Sequence, residues 1–158
     1  MKTTSWRITK EKLASDAFSG EGARLSGGRW NSAGTPLIYT AASNSLAALE
    51  LMVHLSSTID ILNNYVIIKC EFGENLVEAL DPGDLPENWR GFQPRIRIQS
   101  IGDQWIAEAR SAILKVPSAV IPIESNYLFS PEHPDFSKID IHQAERILPD
   151  QIQLQTSS

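Results

Sequence analysis

Several things the 158-residue chain lacks narrow what it can be. It has a single cysteine, Cys70, so no internal disulfide can form. That cysteine lies in the apolar run Tyr65–Phe72, where a buried, unreactive thiol is expected. The three histidines, His54, His133 and His142, show no ligand spacing, and with one cysteine this leaves no metal site to expect. No apolar run approaches the ~18 residues of a membrane-spanning helix. The first residues, MKTTSWRITKEK, carry charge but no apolar h-region, so a secretory signal is not expected. A cytoplasmic protein without a membrane partner is the resulting expectation. Basic runs are missing as well. Fourteen Lys and Arg stand against 19 Asp and Glu, a net charge of −5, and the nearest approach to a cluster, Arg90, Arg95 and Arg97, is interrupted by Phe and Pro. Those arginines read as a solvated or ligand-facing surface, and no direct nucleic-acid partner is expected. No Gly-x-Ser-x-Gly elbow surrounds any serine, so a serine nucleophile has no support.

What is present fits one globular α+β domain over residues 1–158, with a mixed β-sheet core and flanking helices. Its ordered core is expected from about residue 6 to 150, with 155–158 frayed. Trp6–Thr9 reads as a short first strand, Lys10–Phe18 as a turn or two of helix, and Ser19–Gly22 as turn chemistry. Tyr65–Phe72 is β-branched and reads as a central strand, and Asn75–Leu80 as a further short one. Asp81–Asp84 is a turn that opens a long aromatic-rich loop to Pro94, the kind of loop that often lines a site. A helix capped by Asp103 is expected next, with Trp105, Ile106, Ala109, Ile113 and Val116 as its buried face and Pro117 as its stop. Strand Ala119–Ile123, a polar loop Glu124–Phe136, and alternating pairs Ile139/Ile141 and Ile152/Leu154 complete the pattern.

The stretch Arg24–Glu50, RLSGGRWNSAGTPLIYTAASNSLAALE, places an arginine, a tyrosine and a glutamate on successive elements. Gly27 and Gly28 lead a polar loop into Arg29, Trp30 and Asn31, and glycine there lets backbone N–H groups approach a ligand. After a turn at Gly34–Pro36, Leu37–Tyr39 reads as a strand. A helix follows, capped by Ser43 or Ser45, with Leu46, Leu49 and Val53 as its core stripe. Glu50 falls on or beside that stripe. Periodicity alone leaves open whether its carboxylate reaches water at the stripe's edge or turns into a cleft. His54, one turn on, either bonds that carboxylate or caps the helix end.

Gly27–Asn31 (GGRWN), Pro36–Ala41 (PLIYTA), Leu46–Glu50 (LAALE), Gly102–Trp105 (GDQW), Val116–Ala119 (VPSA) and Asn126–Pro134 occur in the order found in the RES-domain family, which the chain resembles from about Trp6 to Pro149. The family comprises toxin components of bacterial toxin–antitoxin pairs and is named for an arginine, a glutamate and a serine. One departure is Phe129-Ser130-Pro131, where Leu-Asn-Pro is more usual, and this bears on loop detail. The resemblance implies an ADP-ribosyltransferase-like fold around a cleft for NAD, taken as substrate with no resident cofactor. It implies cleavage of the nicotinamide–ribose bond, depleting NAD by hydrolysis or phosphorolysis, or else transfer of ADP-ribose to a protein. The implied partner is a cognate Xre-type, helix-turn-helix antitoxin that masks the active site. An RNA-cleaving toxin is disfavoured by the acidic charge and scattered basic residues, and a non-catalytic interaction module is a further, less expected alternative.

By the same resemblance Arg29, Glu50 and Ser118 are the catalytic trio. Tyr39, Gly27, Gly28, Trp30, Asn126 and Arg24 are expected to bind substrate. The residue types suit the chemistry. Nicotinamide leaves as a neutral base, so the need is for a carboxylate beside an oxocarbenium-like ribose, a role that suits Glu50, with Glu124 as the rival. Arg29 suits the diphosphate, which its planar fork can meet with two bonds. Tyr39 offers a ring face for nicotinamide. Ser118 suits orientation of a ribose hydroxyl, the nicotinamide amide or Glu50.

Overall fold

The computed structural model describes residues 1–54, 58–91 and 95–147. The chain gives strands β1 (Lys2–Lys10), β2 (Ile38–Ala41), β3 (Tyr65–Gly73), β4 (Val77–Ala79), β5 (Ile113–Pro117), β6 (Ser125–Phe129), β7 (Asp140–Ile141) and β8 (Glu145–Arg146). The helices are α1 (Glu21–Ser26), α2 (Asn44–Met52), α3 (Thr58–Asn64) and α4 (Arg95–Ala107). The strands form one mixed sheet in the order β4-β5-β6-β2-β1-β3-β7, with β8 also on β3. All pairings are antiparallel except β4 with β5. The expected α+β architecture with a mixed sheet is therefore what the chain adopts.

The sheet is covered on both faces, and strict alternation along β5 and β6 assigns each side chain to one of two cores. Ile113, Tyr127 and Phe129 join Ile38, Cys70, Phe72, Leu76, Ala112 and Ile139 on one face. There Phe72 meets the rings of Tyr127 and Phe129 edge-on at centroid distances of 5.3 and 5.7 Å. Leu114, Val116 and Leu128 point the other way, onto Trp30, Leu37, Ile98 and Trp105 of the α4 side. Cys70 is fully buried, and burial pushes its thiol up to about 12, so it is held as an inert thiol.

Several expected boundaries move. The strand expected at Trp6–Thr9 runs from Lys2 to Lys10, because every residue of it finds a partner on β3, from Lys2 opposite Gly73 to Lys10 opposite Tyr65. Glu21–Ser26, expected as turn and loop, is a short helix between Gly20 and Gly27, both at positive φ. Asp103 does not cap α4, which begins eight residues earlier in the chain at Arg95. Ile113 and Val116 belong to β5, and Pro117 ends that strand instead of a helix. Ala119–Ile123 is a turn with Ile123 95% exposed, and the strand lies later, at Ser125–Phe129, inside what reads as a polar loop. Of the expected α2 stripe only Leu46 is buried, while Leu49 and Val53 are 36% and 57% exposed. The inner side of α2 covers a cavity in place of a packed core. Leu55–Ser57, Phe92–Pro94 and the pair Ile152/Leu154 lie outside the described residues.

Gly102 marks the tightest contact in the α4 layer. A β-carbon there would sit 1.8 Å from the Trp30 carbonyl oxygen, so only glycine lets the helix meet the loop backbone. Gly102→Ala is favoured by helix propensity by about 1 kcal/mol, yet overpacking of this kind costs about 1–3 kcal/mol or more. Net destabilisation is expected, read as a thermal midpoint lowered by several degrees. A midpoint that rises would show that the contact is soft.

Candidate functional site

A cavity of about 810 Å³ opens between α1, α2, the Gly27–Trp30 loop and one face of β1, β2 and β6. Its wall includes Arg7, Gly27, Gly28, Arg29, Tyr39, Glu50, His54, Arg90 and Asn126.

The carboxylate is positioned by three elements. Ser43 caps α2 by accepting from the Leu46 N–H at 3.1 Å, which sets the helix phase and turns Glu50 inward. Its Oε2 accepts from the Ser118 hydroxyl at 2.8 Å, and its Oε1 from the Asn126 amide at 2.8 Å. Ser118 is itself fully buried, and its oxygen accepts from the Val120 and Ile121 N–H groups at 3.1 and 3.2 Å. Asn126 also donates to the Thr40 carbonyl at 3.1 Å, which fixes its amide. The alternative left open by periodicity is thus resolved in favour of the cleft. Burial pushes the Glu50 carboxyl above its ordinary range; the bonds from Asn126 and Ser118 oppose that rise, and the nearby Glu124 charge adds to it. His54 acts on Glu50 through its charge and pulls slightly the other way.

The arginine loop is built differently. Gly27, at φ 73, ends α1 by donating to the Ala23 carbonyl at 2.7 Å. Gly28 donates to the Asn31 carbonyl at 2.9 Å, and a β-carbon on it would lie 2.6 Å from the Tyr39 hydroxyl. That hydroxyl accepts from the Trp30 N–H at 3.0 Å and donates to the Asn31 side chain at 2.6 Å. Asn31, fully buried, donates on to the Ala23 and Thr35 carbonyls. Burial raises the Tyr39 phenol well above its usual value, so it stays a neutral clasp on the loop while its ring lines the cavity. Arg29 is half-buried and donates to the Trp89 carbonyl at 3.1 Å. Desolvation, then the neighbouring Arg95, lower its pKa.

Arg29, Tyr39, Gly27, Gly28, Glu50 and Asn126 therefore meet around one cavity, with Ser118 directly behind Glu50. Trp30 reaches the wall, but its ring is 2% exposed, packed in the core with Trp89 at a centroid distance of 5.9 Å. Arg24 stands apart on α1, paired with Glu21 at 2.7 Å.

Two arginines join the expected site residues: Arg7, which the sequence did not single out, and Arg90, which it left as solvated or ligand-facing. Arg7 of β1 donates to the Tyr39 carbonyl at 3.0 Å, while its shielded Nε has no partner. Burial is the main cause of a lowered Arg7 pKa. The signal in the sequence is an arginine between Trp6 and Ile8 in a strand, since a cation in such a place needs a reason. Arg90 forks onto the Ala119 and Val120 carbonyls at 2.7 and 3.1 Å and so ties the segment before it to the turn behind Glu50. Three guanidinium groups around one cavity suit a polyanion, and Glu50, a carboxylate held at both oxygens, suits a developing cation. Among the described residues no group of His, Cys, Asp and Glu has the arrangement of a metal site, and no helix is long and apolar enough to cross a membrane.

The family model described as the RES domain matches residues 4–151. A protein named "Toxin Res" from Photorhabdus laumondii subsp. laumondii is 38% identical over 133 residues, covering 84% of this chain and 85% of that protein. A "Prs ADP-ribosylating toxin" from a Sphingobium species is 38% identical over 156 residues, covering 95% of this chain and 96% of its own length. Among solved structures, the M. tuberculosis MbcT–MbcA toxin–antitoxin complex contains a chain with the same fold, at a TM-score of 0.75 and 21% identity over 92% of this chain and 84% of that one.

The environment of Glu50 can be read without any substrate. Carboxyl ¹³C NMR should place its midpoint above 4.5, and Glu124→Gln, by removing a like charge, should move that midpoint down. A midpoint at or below 4.5 in the parent protein would contradict the burial argument.

Proposed function

The chain belongs to the RES-domain family, and from that membership and the geometry of the cavity we propose that it is a toxin that breaks the nicotinamide–ribose bond of NAD. The observation that carries this reading is Glu50, a carboxylate drawn into a cavity walled by Arg7, Arg29 and Arg90 and held at both oxygens by Ser118 and Asn126.

In this reading the guanidinium groups, Arg29 foremost, take the diphosphate, and that end of the dinucleotide sets the position of the reacting ribose. Tyr39 forms part of the wall against which nicotinamide can lie. The bond from the ribose anomeric carbon to the pyridinium nitrogen breaks, its electron pair leaves with nicotinamide, and the ribose acquires oxocarbenium character. Glu50 cannot rotate away, because each of its oxygens already holds a donor. Its charge therefore stabilises the transition state more than the ground state, which is the condition for catalysis. Ser118 and Asn126 are read as the groups that keep it in place, with Glu50 also able to accept from a ribose hydroxyl. Water or inorganic phosphate then adds to the ribosyl centre and gives up a proton, so the products are nicotinamide and ADP-ribose or its phosphate ester.

A second reading keeps the same bond cleavage but lets a protein side chain capture the ribosyl centre. It is favoured by the 38% identity, over nearly the whole chain, to a relative named an ADP-ribosylating toxin. In either case a cognate antitoxin of Xre-type, helix-turn-helix character is the proposed partner, covering the cavity mouth. The fold shared with a chain of a toxin–antitoxin complex supports such a partner.

Pure protein incubated with NAD, with and without phosphate, should release nicotinamide. Glu50→Gln should lower that rate by about 10²–10³-fold while the protein still melts cooperatively. A near-normal rate in a folded Glu50→Gln protein would remove Glu50 from the mechanism. Mass spectrometry of a lysate incubated with the protein and NAD separates the acceptors: labelled polypeptide supports transfer, and free products alone support NAD degradation.

A further inference from the structure

Arg29 sits in a stretch without regular structure, between the end of α1 and the start of β2. A guanidinium that is to meet a diphosphate needs a fixed root, and the irregular backbone does not supply one by itself. The root comes from outside the cavity. Gln99, Gly102 and Asp103 of α4 fall at spacings of three and four, so they share one helix face. That face grips the loop at alternate residues. Gln99 donates to the Gly28 carbonyl at 2.9 Å. Gly102 receives the Trp30 carbonyl where any β-carbon would stand. The Asp103 carboxylate accepts from the Ser32 N–H at 2.9 Å and from the Ser32 hydroxyl at 2.5 Å. Residues 28, 30 and 32 are thus held, with Arg29 between the first two, while Arg29 itself turns to the Trp89 carbonyl and the cavity. None of the three α4 residues lines the cavity.

We propose that Gln99, Gly102 and Asp103 are positioning residues for Arg29, so that one face of α4 acts as a template that presents its guanidinium to the diphosphate of a dinucleotide. The identity of that anion rests on the NAD reading above; the gripping of the loop does not. Asp103 is the most exacting of the three, because its two oxygens hold two donors of one residue and no other described group competes for them. An aspartate in the middle of a helix is otherwise a poor choice, since it has low helix propensity and lies away from the first turn where its charge is favoured.

The test is a double-mutant cycle read by calorimetric binding of ADP-ribose, which needs no bond cleavage. Displacement of a binding group by a fraction of an ångström to 1 Å costs about 10–100-fold, so Asp103→Ala should weaken binding by at least about tenfold. On an Arg29→Ala background the same change should add almost nothing, because the residue it positions is gone. Asp103→Asn, which keeps a carbonyl for the Ser32 N–H, should recover most of the loss. In turnover the effect should fall on KM for NAD, with kcat within about threefold of the parent, as expected when binding geometry is lost and Glu50 is untouched. If Asp103→Ala does not fold, Gln99→Met removes one bond from the same grip and should show the same dependence on Arg29. Unchanged binding in the folded single variant, or equal further losses on the Arg29→Ala background, would overturn the proposal. A parent protein that binds neither ADP-ribose nor pyrophosphate would overturn it too. A parent that binds ADP-ribose in an Arg29- and Asp103-dependent way yet releases no nicotinamide would leave the template standing and remove the NAD-cleavage reading instead.

Discussion

The site depends on keeping one carboxylate inside the protein. Moving Glu50 away from water disfavours its charged form, and Glu124 makes this worse, so the fold must return what solvation no longer provides. It does so through two donors from parts of the chain distant in sequence, Ser118 and Asn126. Each donor is itself fixed by main chain: Ser118 by two N–H groups of its own turn, Asn126 by the Thr40 carbonyl. The neighbouring strands β2 and β6, which pair Asn126 with Ala41 and so bring the Thr40 carbonyl within its reach, are consequently part of the acid's support. A carboxyl held above its unfolded value makes the folded state less favoured at neutral pH, and this cost fades as pH falls through the raised folded value and is gone below the unfolded one. Glu50 is thus held in the cavity against its own effect on stability, which agrees with the role proposed for it above.

The arginine half of the cavity follows another logic. Arg7, Arg29 and Arg90 each spend their donors on backbone carbonyls, of Tyr39, Trp89 and the Ala119–Val120 pair. Among the described residues none of the three has an acidic side chain as a salt-bridge partner, so their charge remains directed at the cavity within a protein that is acidic overall. A local cationic field on a net-negative chain favours a small anion that can enter the cavity over an extended polyanion that would meet the rest of the surface.

How much of this could be read from the chain depended on whether a residue's neighbours in sequence were also its neighbours in space. Ser43 as a cap, the β-branched strand Tyr65–Gly73 and the turn at Asp81–Asp84 are local features, and each lies where propensity puts it. Arg29, Tyr39, Glu50, Ser118 and Asn126 follow from the order of short motifs, and the structure brings them to one place. Strand β6 is hard to read because Ser125 and Asn126 look like turn formers, while Asn126 is polar for the sake of Glu50 and not for solvent. Asp103 looked like a cap because an aspartate after a glycine so often is one; only the tertiary contact with Ser32 explains it inside α4. Arg7 is not legible as a site residue because nothing in Trp6-Arg7-Ile8 says which strand face opens on a cavity. Arg24 lies at the edge of the right stretch, but α1 turns it to Glu21.

The turn after Ser118 has a consequence for how such a protein can change over time. Arg90 holds it by the carbonyls of Ala119 and Val120, and Ser118 holds it by the N–H groups of Val120 and Ile121. Every one of these tethers uses main-chain atoms that any residue other than proline would supply. The exposed side chains of Pro122 and Ile123 are therefore free to vary, whereas those of Ala119 and Val120 also line the cavity. Substitutions can accumulate at this rim, and remodel what it presents to another surface, while the carboxylate behind it stays where it is.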